Sequence, residues 1–500
     1  MTPEIILGSP GCGKTTALLS IVEEELARGT PPDRIAYVTF TKRAAEEAIT
    51  RAVKKFSLIR SQFPYFKTLH ALCYHQLGVR SGDVINFKRL TEFADWIGVR
   101  LTGRWSEDGS FSGYEIGDRI LFMENLARVR MISLREQYDL DDDGLSWSSV
   151  DHVARAYAAY KEQHGLIDFT GMLNQFLKSG IKLKIDVLLD DEAQDQSRLQ
   201  WAVIRKLAAS ARRVAIGGDD DQALYKWAGA DVENFVDLPG QVRVLGQSWR
   251  VPRLIQKAAG DIINSVSHRR PKAWAPRSID GAVEHAASFE EVDCSQGQIL
   301  ILARNIYLLR EQIEPALRRA GIIYEYNGHS SVAQSMLNAI VAWEKLRAGE
   351  SLTAASARGV YEYMSVGAGV TRGFKKLPAM TDDEMVDIKT LQAKGGLLRT
   401  DVWHEALDRL PPDEVSYVLA ARQRGEKLLS EPRVKISTIH GAKGGEADHV
   451  VLLKEMAKRS YREMDVDEDS EKRVFYVGVT RAKEKLTIVE ATTQQSCPWL

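Results

Sequence analysis

The segment GSPGCGKTT, residues 8–16, is the feature that most constrains the fold of this chain. Gly8, Gly13, Lys14 and Thr15 match the pattern G-x-x-x-x-G-K-[ST], between the apolar stretch EIIL and the helical stretch TTALLSIVEEELA. Such a loop turns backbone N–H groups toward a phosphate, and the helix N-terminus adds the positive end of its dipole. Lys14 would place its charge on the β- and γ-phosphates, and Thr15 would ligate Mg²⁺. The flanks favour a phosphate-binding loop over a chance glycine-rich turn.

A second segment, DVLLDDEAQD at residues 186–195, runs an apolar strand into a cluster of acids. Carboxylates this close together raise one another's pKa, so the cluster needs a counter-ion. A divalent metal ion would supply the positive charge. We expect an aspartate to face Mg²⁺ through water and Glu192 to polarise the attacking water. A solvated acidic loop is the alternative. Spacing alone leaves open whether Asp190 or Asp191 faces the metal.

Composition limits the class of protein only broadly. A chain of 500 residues is too long for one core, and the usual domain size predicts about three or four units. Apolar residues at 44% and charged residues at 27% are ordinary for a globular protein. The net charge of −1 does not indicate a polyanion partner, so any surface for nucleic acid must be local.

Cysteine spacing and hydropathy indicate a cytoplasmic enzyme. Cys12, Cys73, Cys294 and Cys497 are far apart, which predicts neither a zinc cluster nor a disulfide framework. No apolar run approaches the ~20 residues that span a bilayer, so we expect no membrane partner. A cleaved signal peptide at the start would remove the phosphate-binding loop, and none is expected.

Short apolar stretches alternate with helical ones through much of the chain, which predicts an α/β fold of parallel, doubly wound sheets. In such sheets the active loops lie at the carboxyl ends of the strands. The strand pattern fades over residues 76–178 and 350–428, where helical periodicity predicts insertions. The predicted strands are EIIL, RIAYVTF, DVLLD, RRVAIGG, VRVL, QILILAR, VKISTI, DHVVLL and KLTIVE.

Four further segments carry polar or aromatic residues beside apolar stretches. Each is a weak signal alone, because an arginine after a strand is at least as often part of a surface ion pair. In chain order they present Gln222 in VAIGGDDDQALYKWAGA, Trp249 and Arg250 in GQSWRVPRLI, His440, Lys443 and Glu446 between two strands in VKISTIHGAKGGEADHVVLL, and Arg481 directly after the strand predicted in RVFYVGV.

Taken together and in this order, these segments, with YVTFTKRAAEEA and KTLHAL, resemble the motifs of superfamily 1 helicases of the UvrD/Rep/PcrA group. The resemblance spans nearly the whole chain. It implies two RecA-like P-loop lobes with parallel sheets, each interrupted by a mostly helical insertion, with ATP between the lobes and DNA across them. The implied segments are 1–75 and 179–246 for the first lobe, 76–178 for its insertion, 247–349 and 429–500 for the second lobe, and 350–428 for a short second insertion.

The resemblance also implies roles at a site for ATP and Mg²⁺. It selects Asp191 over Asp190 as the Mg²⁺ acid, and it implies that Trp249 stacks on adenine where the family usually has Tyr. A core indole is the alternative for Trp249. The implied catalytic residues are Lys14, Asp191, Glu192, Gln222, Arg250 and Arg481; the nucleotide-binding residues are Gly8, Gly11, Gly13, Lys14, Thr15, Thr16, Trp249 and Glu446; the metal ligands are Thr15 and Asp191.

By the same resemblance, aromatic and polar residues contact single-stranded DNA. Stacking of a base on an aromatic ring is worth ~1–3 kcal/mol and is independent of sequence, which suits a motor that steps along any strand. Packing in the core is the alternative for such aromatics, and the spacing of Tyr225 and Trp227 after Gln222 favours a DNA platform. The implied DNA-binding residues are Phe40, Thr68, His70, Tyr225, Trp227 and His440.

The expected function is that of an ATP-dependent DNA helicase that moves 3′ to 5′ on single-stranded DNA and unwinds duplex. Expected partners are single-stranded DNA, junctions of single- and double-stranded DNA, and proteins of replication or repair. Four departures from the family pattern qualify this expectation: the chain has no room for a Gln-containing adenine-recognition segment before the P-loop, Ala228 replaces a usual Arg, Gly445, Glu446 and Ala447 replace the common Leu-Glu-Phe, and the second insertion is short. The alternatives are a translocase that removes bound proteins with little unwinding, a nucleotide-regulated DNA-binding protein, and a small-molecule P-loop kinase.

Overall fold

The computed structural model describes residues 2–103 and 115–500, which form two compact units. The first unit contains residues 2–281 and 463–480 with Trp499, and the second contains residues 282–462 and 481–498 with Leu500. Each unit is built on a mainly parallel sheet covered by helices, so the predicted α/β class with two RecA-like lobes is confirmed. The division into six segments with their boundaries stays a prediction.

The sheet of the first unit has six parallel strands in the order β3-β2-β4-β5-β1-β6. Because β4, β5 and β1 are neighbours and parallel, their carboxyl ends lie at one edge of the sheet. The P-loop, residues 8–15, and the acids that end β4 and follow β5 are therefore brought together. The strands are β1 (Glu4–Gly8), β2 (Ile35–Thr39), β3 (Phe66–Thr68), β4 (Val187–Asp191), β5 (Arg213–Gly218) and β6 (Gln241–Leu245).

Both faces of this sheet are covered by apolar cores, because successive strand side chains point to opposite faces. Ile6 and Val187 belong to one core, whereas Ile5 and Leu188 belong to the other. The helices of residues 2–281 in chain order are α1 (Lys14–Ala27), α2 (Lys42–Phe56), α3 (Leu69–Gln76), α4 (Phe87–Ile97), α5 (Ile116–Arg130), α6 (Leu134–Leu140), α7 (Trp147–Gln163), α8 (Phe169–Lys178), α9 (Arg198–Ala208), α10 (Val232–Val236) and α11 (Arg253–Ile263).

Helices α4 to α8 occupy the region where the strand pattern fades. Leu90, Phe93, Val150 and Tyr157 are fully or almost fully buried in a core of their own, separate from the two cores at the sheet. Polar caps set where these helices begin: Asn86 accepts from the backbone N–H of Arg89 at the start of α4. The region is thus a helical layer attached to the first sheet.

The sheet of the second unit has seven strands in the order β10-β9-β13-β8-β14-β15-β7, and only the β9–β10 pair is antiparallel. The apolar runs at β8, β13, β14 and β15 predicted these strands. The sequence did not predict β7, β9 or β10, because they are very short or partly exposed and lack a continuous apolar run. The strands of this sheet are β7 (Ala282–Ala286), β8 (Ile299–Ala303), β9 (Tyr324–Tyr326), β10 (His329–Ser330), β13 (Val434–Thr438), β14 (Ala447–Leu453) and β15 (Ala482–Val489); β11 (Leu352–Thr353) and β12 (Met385–Val386) form a separate pair.

The second strand-poor region is mostly helical and shares a core with residues 323–346, and this core includes Trp343, Tyr361 and Trp403. The antiparallel pair of β11 and β12 lies within this region.

Throughout residues 2–103 and 115–500, no helix is long and apolar enough to cross a membrane. The helices of residues 306–466 are α12 (Ile306–Leu308), a π-helical turn (Leu309–Ile313), α13 (Glu314–Arg319), α14 (Gln334–Arg347), α15 (Ala354–Glu362), α16 (Ile388–Lys394), α17 (Trp403–Ala406), α18 (Pro412–Arg424) and α19 (Lys458–Val466).

The stretch RVFYVGV was predicted to be a strand, and this prediction is wrong. It belongs to helix α20 (Glu468–Val479), which packs in the first unit against α11. All residues from Glu471 to Val479 are buried, so the helix has no polar face to reveal a helical period. Arg481 therefore follows a helix and directly precedes strand β15, rather than following a strand.

Candidate nucleotide-binding and nucleic-acid-binding sites

The P-loop joins β1 to α1 and depends on three glycines. Gly11 and Gly13 have φ of +73° and +79°, a region that favours glycine. A Cβ added at Gly8 would lie 2.6 Å from Cγ of Lys14. Lys14 folds back over the loop, and its Nζ donates to the Gly8 carbonyl at 2.8 Å. The backbone is thus arranged as the motif predicted.

Residues 246–251 pack against this loop within the first unit. Ser248 Oγ donates to the Pro10 carbonyl at 2.7 Å, and the Trp249 backbone N–H donates to the Gly11 carbonyl at 3.0 Å. A Cβ at Gly11 would overlap Cβ of Arg250. Arg250, which the resemblance assigns to the second lobe, therefore lies in the first compact unit beside the P-loop. Ser248 was not singled out from the sequence.

The indole of Trp249 is 75% exposed. This exposure excludes the alternative in which Trp249 packs in the core. A flat apolar ring beside a phosphate-binding loop has the chemistry needed to stack on a nucleobase.

Asp191 is the acid that meets the P-loop. Thr15 Oγ1 donates to Asp191 Oδ2 at 2.9 Å, and Tyr37 Oη donates to the same oxygen at 2.6 Å. Asp190 instead accepts from Nε2 of Gln196 at 3.2 Å. A hydroxyl and a buried carboxylate are the hard oxygen ligands that Mg²⁺ prefers, so this pair fits the ion. Tyr37 was part of a predicted strand and received no role from the sequence.

Burial and the neighbouring negative charges at the end of β4 oppose ionisation of Asp190 and Asp191. Burial, and then the charge of Asp191, hold the pKa of Asp190 well above its usual range. Burial and Glu192 also raise the pKa of Asp191, although Tyr37 and Lys14 act in the opposite direction. A bound dication would reverse this balance. Among the residues that the structure describes, no group of three or more His, Cys, Asp or Glu is placed to hold a metal.

Glu192 adopts a left-handed backbone conformation, with φ 62° and ψ 39°, which is strained for a residue other than glycine. Gln194 links it to the next strand: Nε2 of Gln194 donates to Glu192 Oε2 at 2.5 Å, and Oε1 accepts from the Asp219 backbone N–H at 2.9 Å. Gln194 lies within the segment DVLLDDEAQD, but the sequence predicted no role for it. The contact that reveals its role lies 25 residues away in sequence.

Three aspartates, Asp219, Asp220 and Asp221, follow β5 and are called the acidic turn below. Gln222 comes next, and its Nε2 donates to Asp219 Oδ2 at 2.6 Å. Lys272 Nζ lies 3.1, 2.6 and 2.9 Å from carboxylate oxygens of the three aspartates in order. The counter-ion of this acid cluster is therefore a lysine, which the sequence analysis missed.

Several predicted DNA-binding residues gather on the first unit. The rings of Phe40 and Tyr225 stack with centroids 5.1 Å apart and an interplanar angle of 28°. Together with His70 they line a pocket of about 30 Å³. Trp227 is 47% exposed and stacks on Phe122 of α5 at 6.2 Å. These rings form a partly exposed aromatic surface rather than a closed core.

Thr68 is buried at the start of α3, where its Oγ1 accepts from the Ala71 backbone N–H at 3.2 Å. This contact caps the helix. His70, in the first turn of α3, meets the ring of Phe169 edge-on at 6.0 Å. Thr68 thus fixes the helix that carries His70.

The remaining predicted residues belong to the second unit. His440 lies half-buried after β13, and Glu446 is exposed before β14, 4.0 Å from Lys483. Arg481 is buried, and its Nη1 donates to the Gly445 carbonyl at 3.3 Å. The backbone N–H of Ala447 donates in turn to the Arg481 carbonyl at 3.1 Å. The structure thus brings Glu446 and Arg481 to neighbouring positions.

A P-loop after a central parallel strand, with the acid of a neighbouring strand hydrogen-bonded to its threonine, defines the class of P-loop nucleotide-binding proteins. A model of the UvrD/REP helicase N-terminal domain matches residues 1–242, and a model of the UvrD-like helicase C-terminal domain matches residues 415–493. The chain belongs to the UvrD/Rep/PcrA-type helicases of superfamily 1, as its motifs predicted.

Curated relatives are similar at low identity. The ATP-dependent DNA helicase PcrA of Leuconostoc citreum is 26% identical over 358 residues, covering 67% of this chain and 47% of the relative. The protein of the same name from Bacillus subtilis (strain 168) is 25% identical over 356 residues, with the same coverage. The chain spans about half the length of these relatives. A solved arterivirus nonstructural protein 10 helicase matches 99% of this chain and 61% of its own, at 10% identity and a TM-score of 0.35.

Proposed function

We propose that this protein is an ATP- and Mg²⁺-dependent DNA helicase that translocates 3′ to 5′ on single-stranded DNA and unwinds duplex, coupling hydrolysis to lobe closure. The observation that supports it most is the contact of Thr15 with Asp191 beside the P-loop, in a chain of the UvrD family. Translocation polarity and stimulation of hydrolysis by DNA come from the family resemblance.

The P-loop residues would bind the phosphates of ATP. Backbone N–H groups at Gly11, Gly13 and Thr16 would face the phosphates, and Lys14 would neutralise their charge. When bound, Mg²⁺ supplies positive charge that stabilises the phosphoryl oxygens during transfer. Thr15 and Asp191 would hold it.

Glu192 would take the proton from the attacking water. The hydrogen bond from Gln194 fixes one oxygen of this carboxylate. Gln222 would contact the γ-phosphate, and the guanidinium groups of Arg250 and Arg481 would stabilise its developing charge. Planar cations in this role are worth ~10³-fold or more in rate. Trp249 would stack on adenine, and Glu446 would accept from the ribose.

DNA would lie on the aromatic surface of Phe40, Tyr225 and Trp227, with His70 and His440 contacting the strand. Since the Thr68 side chain caps α3, it would act by setting the helix that carries His70. We also propose the six-segment lobe and insertion boundaries given by the resemblance, a cytoplasmic location, and replication or repair proteins as partners.

Strand displacement tests this proposal directly. Three duplexes, with a 3′ single-stranded tail, a 5′ tail or blunt ends, are mixed with protein, ATP and Mg²⁺, and Glu192→Gln serves as the inactive control. We expect release only from the 3′-tailed duplex and none with the control. Release from the 5′-tailed duplex would contradict the polarity.

Two other results would favour the alternatives. Hydrolysis stimulated by DNA without strand release would support a translocase that removes bound proteins, as the short second insertion suggested. DNA binding that depends on the bound nucleotide, without stimulated hydrolysis, would support a nucleotide-regulated DNA-binding protein.

A further inference from the structure

The acidic turn is held by a lysine whose side chain is completely buried. The side chains of Lys272, Asp219, Asp220 and Asp221 have no solvent exposure. A buried charge is tolerated only when it is paired and hydrogen-bonded. Burial alone would lower the pKa of Lys272, but the three aspartates hold it above its usual range. Lys272 is therefore a fixed cation at the centre of the turn.

The residues just before Lys272 complete this arrangement. Arg269 forms a two-pronged contact with Asp221, with Nε to Oδ1 at 2.9 Å and Nη2 to Oδ2 at 2.5 Å. The backbone N–H of Arg270 donates to Asp220 Oδ2 at 2.9 Å. We call Arg269, Arg270 and Lys272 the basic clamp. It contacts each acid of the turn, and only Lys272 contacts all three.

The acidic turn connects the clamp to two residues proposed for hydrolysis. One carboxylate oxygen of Asp219, Oδ1, faces Lys272, and the other, Oδ2, accepts from Gln222. The Asp219 backbone N–H donates to Gln194, which in turn donates to Glu192. The positions of Gln222 and of the Glu192 carboxylate therefore both depend on where Asp219 is held.

The clamp is also joined to the P-loop through one continuous stretch of chain. Residues 248–250 contact the loop at Pro10 and Gly11, helix α11 follows, and the clamp comes six residues after that helix ends. Displacement of the clamp would thus disturb the acidic turn without removing any residue that touches the nucleotide.

We propose that Lys272 is a positioning residue for ATP hydrolysis: by fixing Asp219, it orients Gln222 toward the γ-phosphate and, through Gln194, the Glu192 carboxylate toward water. This inference rests on the proposed function. Loss of Lys272 should reduce turnover and the recognition of a third phosphate, and it should leave binding of the first two phosphates intact.

The first test compares Lys272→Met with Lys206→Met. Lys206 is a partly buried lysine of the same unit that donates to the carbonyls of Phe176 and Ser179, so it controls for loss of a structural lysine. We expect Lys272→Met to lower kcat about tenfold or more with KM for ATP within about threefold, in line with loss of one preorganised group. Lys206→Met should keep the wild-type kcat even if its Tm falls.

A second test measures nucleotide affinity and does not depend on ATP hydrolysis. Affinities for Mg²⁺·ADP and for Mg²⁺·ADP·beryllium fluoride are measured by titration calorimetry, and their ratio reports recognition of the third phosphate position. Lys272→Met should lower the ratio as much as Gln222→Ala does, and the double variant should lower it no further, since residues in one network are not additive. If Lys272→Met does not fold, Lys272→Gln, which keeps a donor without charge, takes its place.

The outcomes separate the two proposals. A wild-type protein that neither binds nor hydrolyses ATP would contradict the proposed function. Wild-type hydrolysis together with an unchanged kcat and affinity ratio in Lys272→Met would overturn the role of Lys272. Additive losses in the double variant would overturn it as well, because Lys272 would then act independently of Gln222.

Discussion

The Asp191 carboxylate accepts hydrogen bonds from three donors. Thr15 and Tyr37 both donate to Oδ2, and the backbone N–H of Glu192 donates to Oδ1 at 3.0 Å. Thr15 is also the proposed metal ligand, so Tyr37 is the side chain that can hold Asp191 in place when Thr15 turns to the ion. Tyr37 is fully buried on β2 and held by the sheet.

Tyr37→Phe removes only this hydroxyl. We expect the Mg²⁺ concentration for half-maximal ATP hydrolysis to rise about tenfold, the usual size of an effect from a group that orients a metal ligand. Hydrolysis is measured across a Mg²⁺ titration, with Tyr361→Phe as the control. Tyr361 is also fully buried and donates one hydrogen bond, to Gly395. An unchanged Mg²⁺ requirement would show that Asp191 is held without Tyr37.

Gly11→Ala tests the close packing of the P-loop on the Trp249–Arg250 segment. The new Cβ would have to adopt positive φ and would also displace Arg250, so we expect loss of measurable ATP binding. Gly29→Ala is the matched control, since Gly29 has φ of +87° and nothing within 4 Å of an added Cβ. Gly29→Ala should lower stability by about 1 kcal/mol through backbone strain alone. It should leave nucleotide affinity unchanged.

At the residue scale, the sequence predicted those site residues that lie within one motif or directly after a recognisable strand. Gly8, Lys14 and Thr15 occur in one motif, and Asp191 follows a recognisable strand. Tyr37 and Lys272 act across 154 and about 50 residues of sequence, so spacing held no sign of their contacts. Each is also an ordinary residue locally, one in a strand and the other after a helix.

At the scale of elements, the prediction succeeded where an apolar run ends in recognisable turn residues. Strands β1, β2, β4 and β5 were predicted because they are short apolar runs that end in turns. Helix α20 was misread because all of its residues from Glu471 to Val479 are buried. Its interior residues Val474, Phe475, Tyr476 and Val477 are β-branched or aromatic, a composition that favours strands, and packing overrides that preference.

The stacked pair of Trp227 and Phe122 joins the turn after Gln222 to helix α5. In Trp227→Ala the platform loses one ring, so we expect affinity for single-stranded DNA to fall about five- to 150-fold, equivalent to ~1–3 kcal/mol. Fluorescence anisotropy with a labelled oligonucleotide measures the change. Trp96→Ala, which removes another exposed indole from α4, should bind as the wild type does. Equal losses in the two variants would contradict a specific platform.

At the scale of the whole molecule, one histidine couples the second sheet to pH. His449 lies on β14 beside Thr487 of β15, and burial, followed by the charge of Lys485, lowers its pKa to about 4. In the unfolded chain the pKa is about 6.5. Between these values the unfolded state binds more protons, so stability falls as pH drops from about 6.5 to about 4.

His449→Gln keeps a hydrogen-bonding group for Thr487 but cannot titrate. We expect the loss of Tm between pH 7.5 and pH 4.5 to be smaller in this variant than in the wild type, measured by circular dichroism. His329→Gln, at an exposed position on β10, is the control and should follow the wild-type curve. Identical pH profiles for all three proteins would mean that His449 does not contribute.

The path of the chain has a consequence for synthesis on the ribosome. The first unit is not complete at residue 281, because it also includes residues 463–480, whose helix α20 packs on α11 and beside the acidic turn. Until those residues leave the exit tunnel, nascent chains carry an uncovered apolar face next to a buried-charge cluster. Chains that stall before residue 463 would therefore be natural clients for chaperones, and the phosphate-binding half would mature only after nearly all of the second half has been translated.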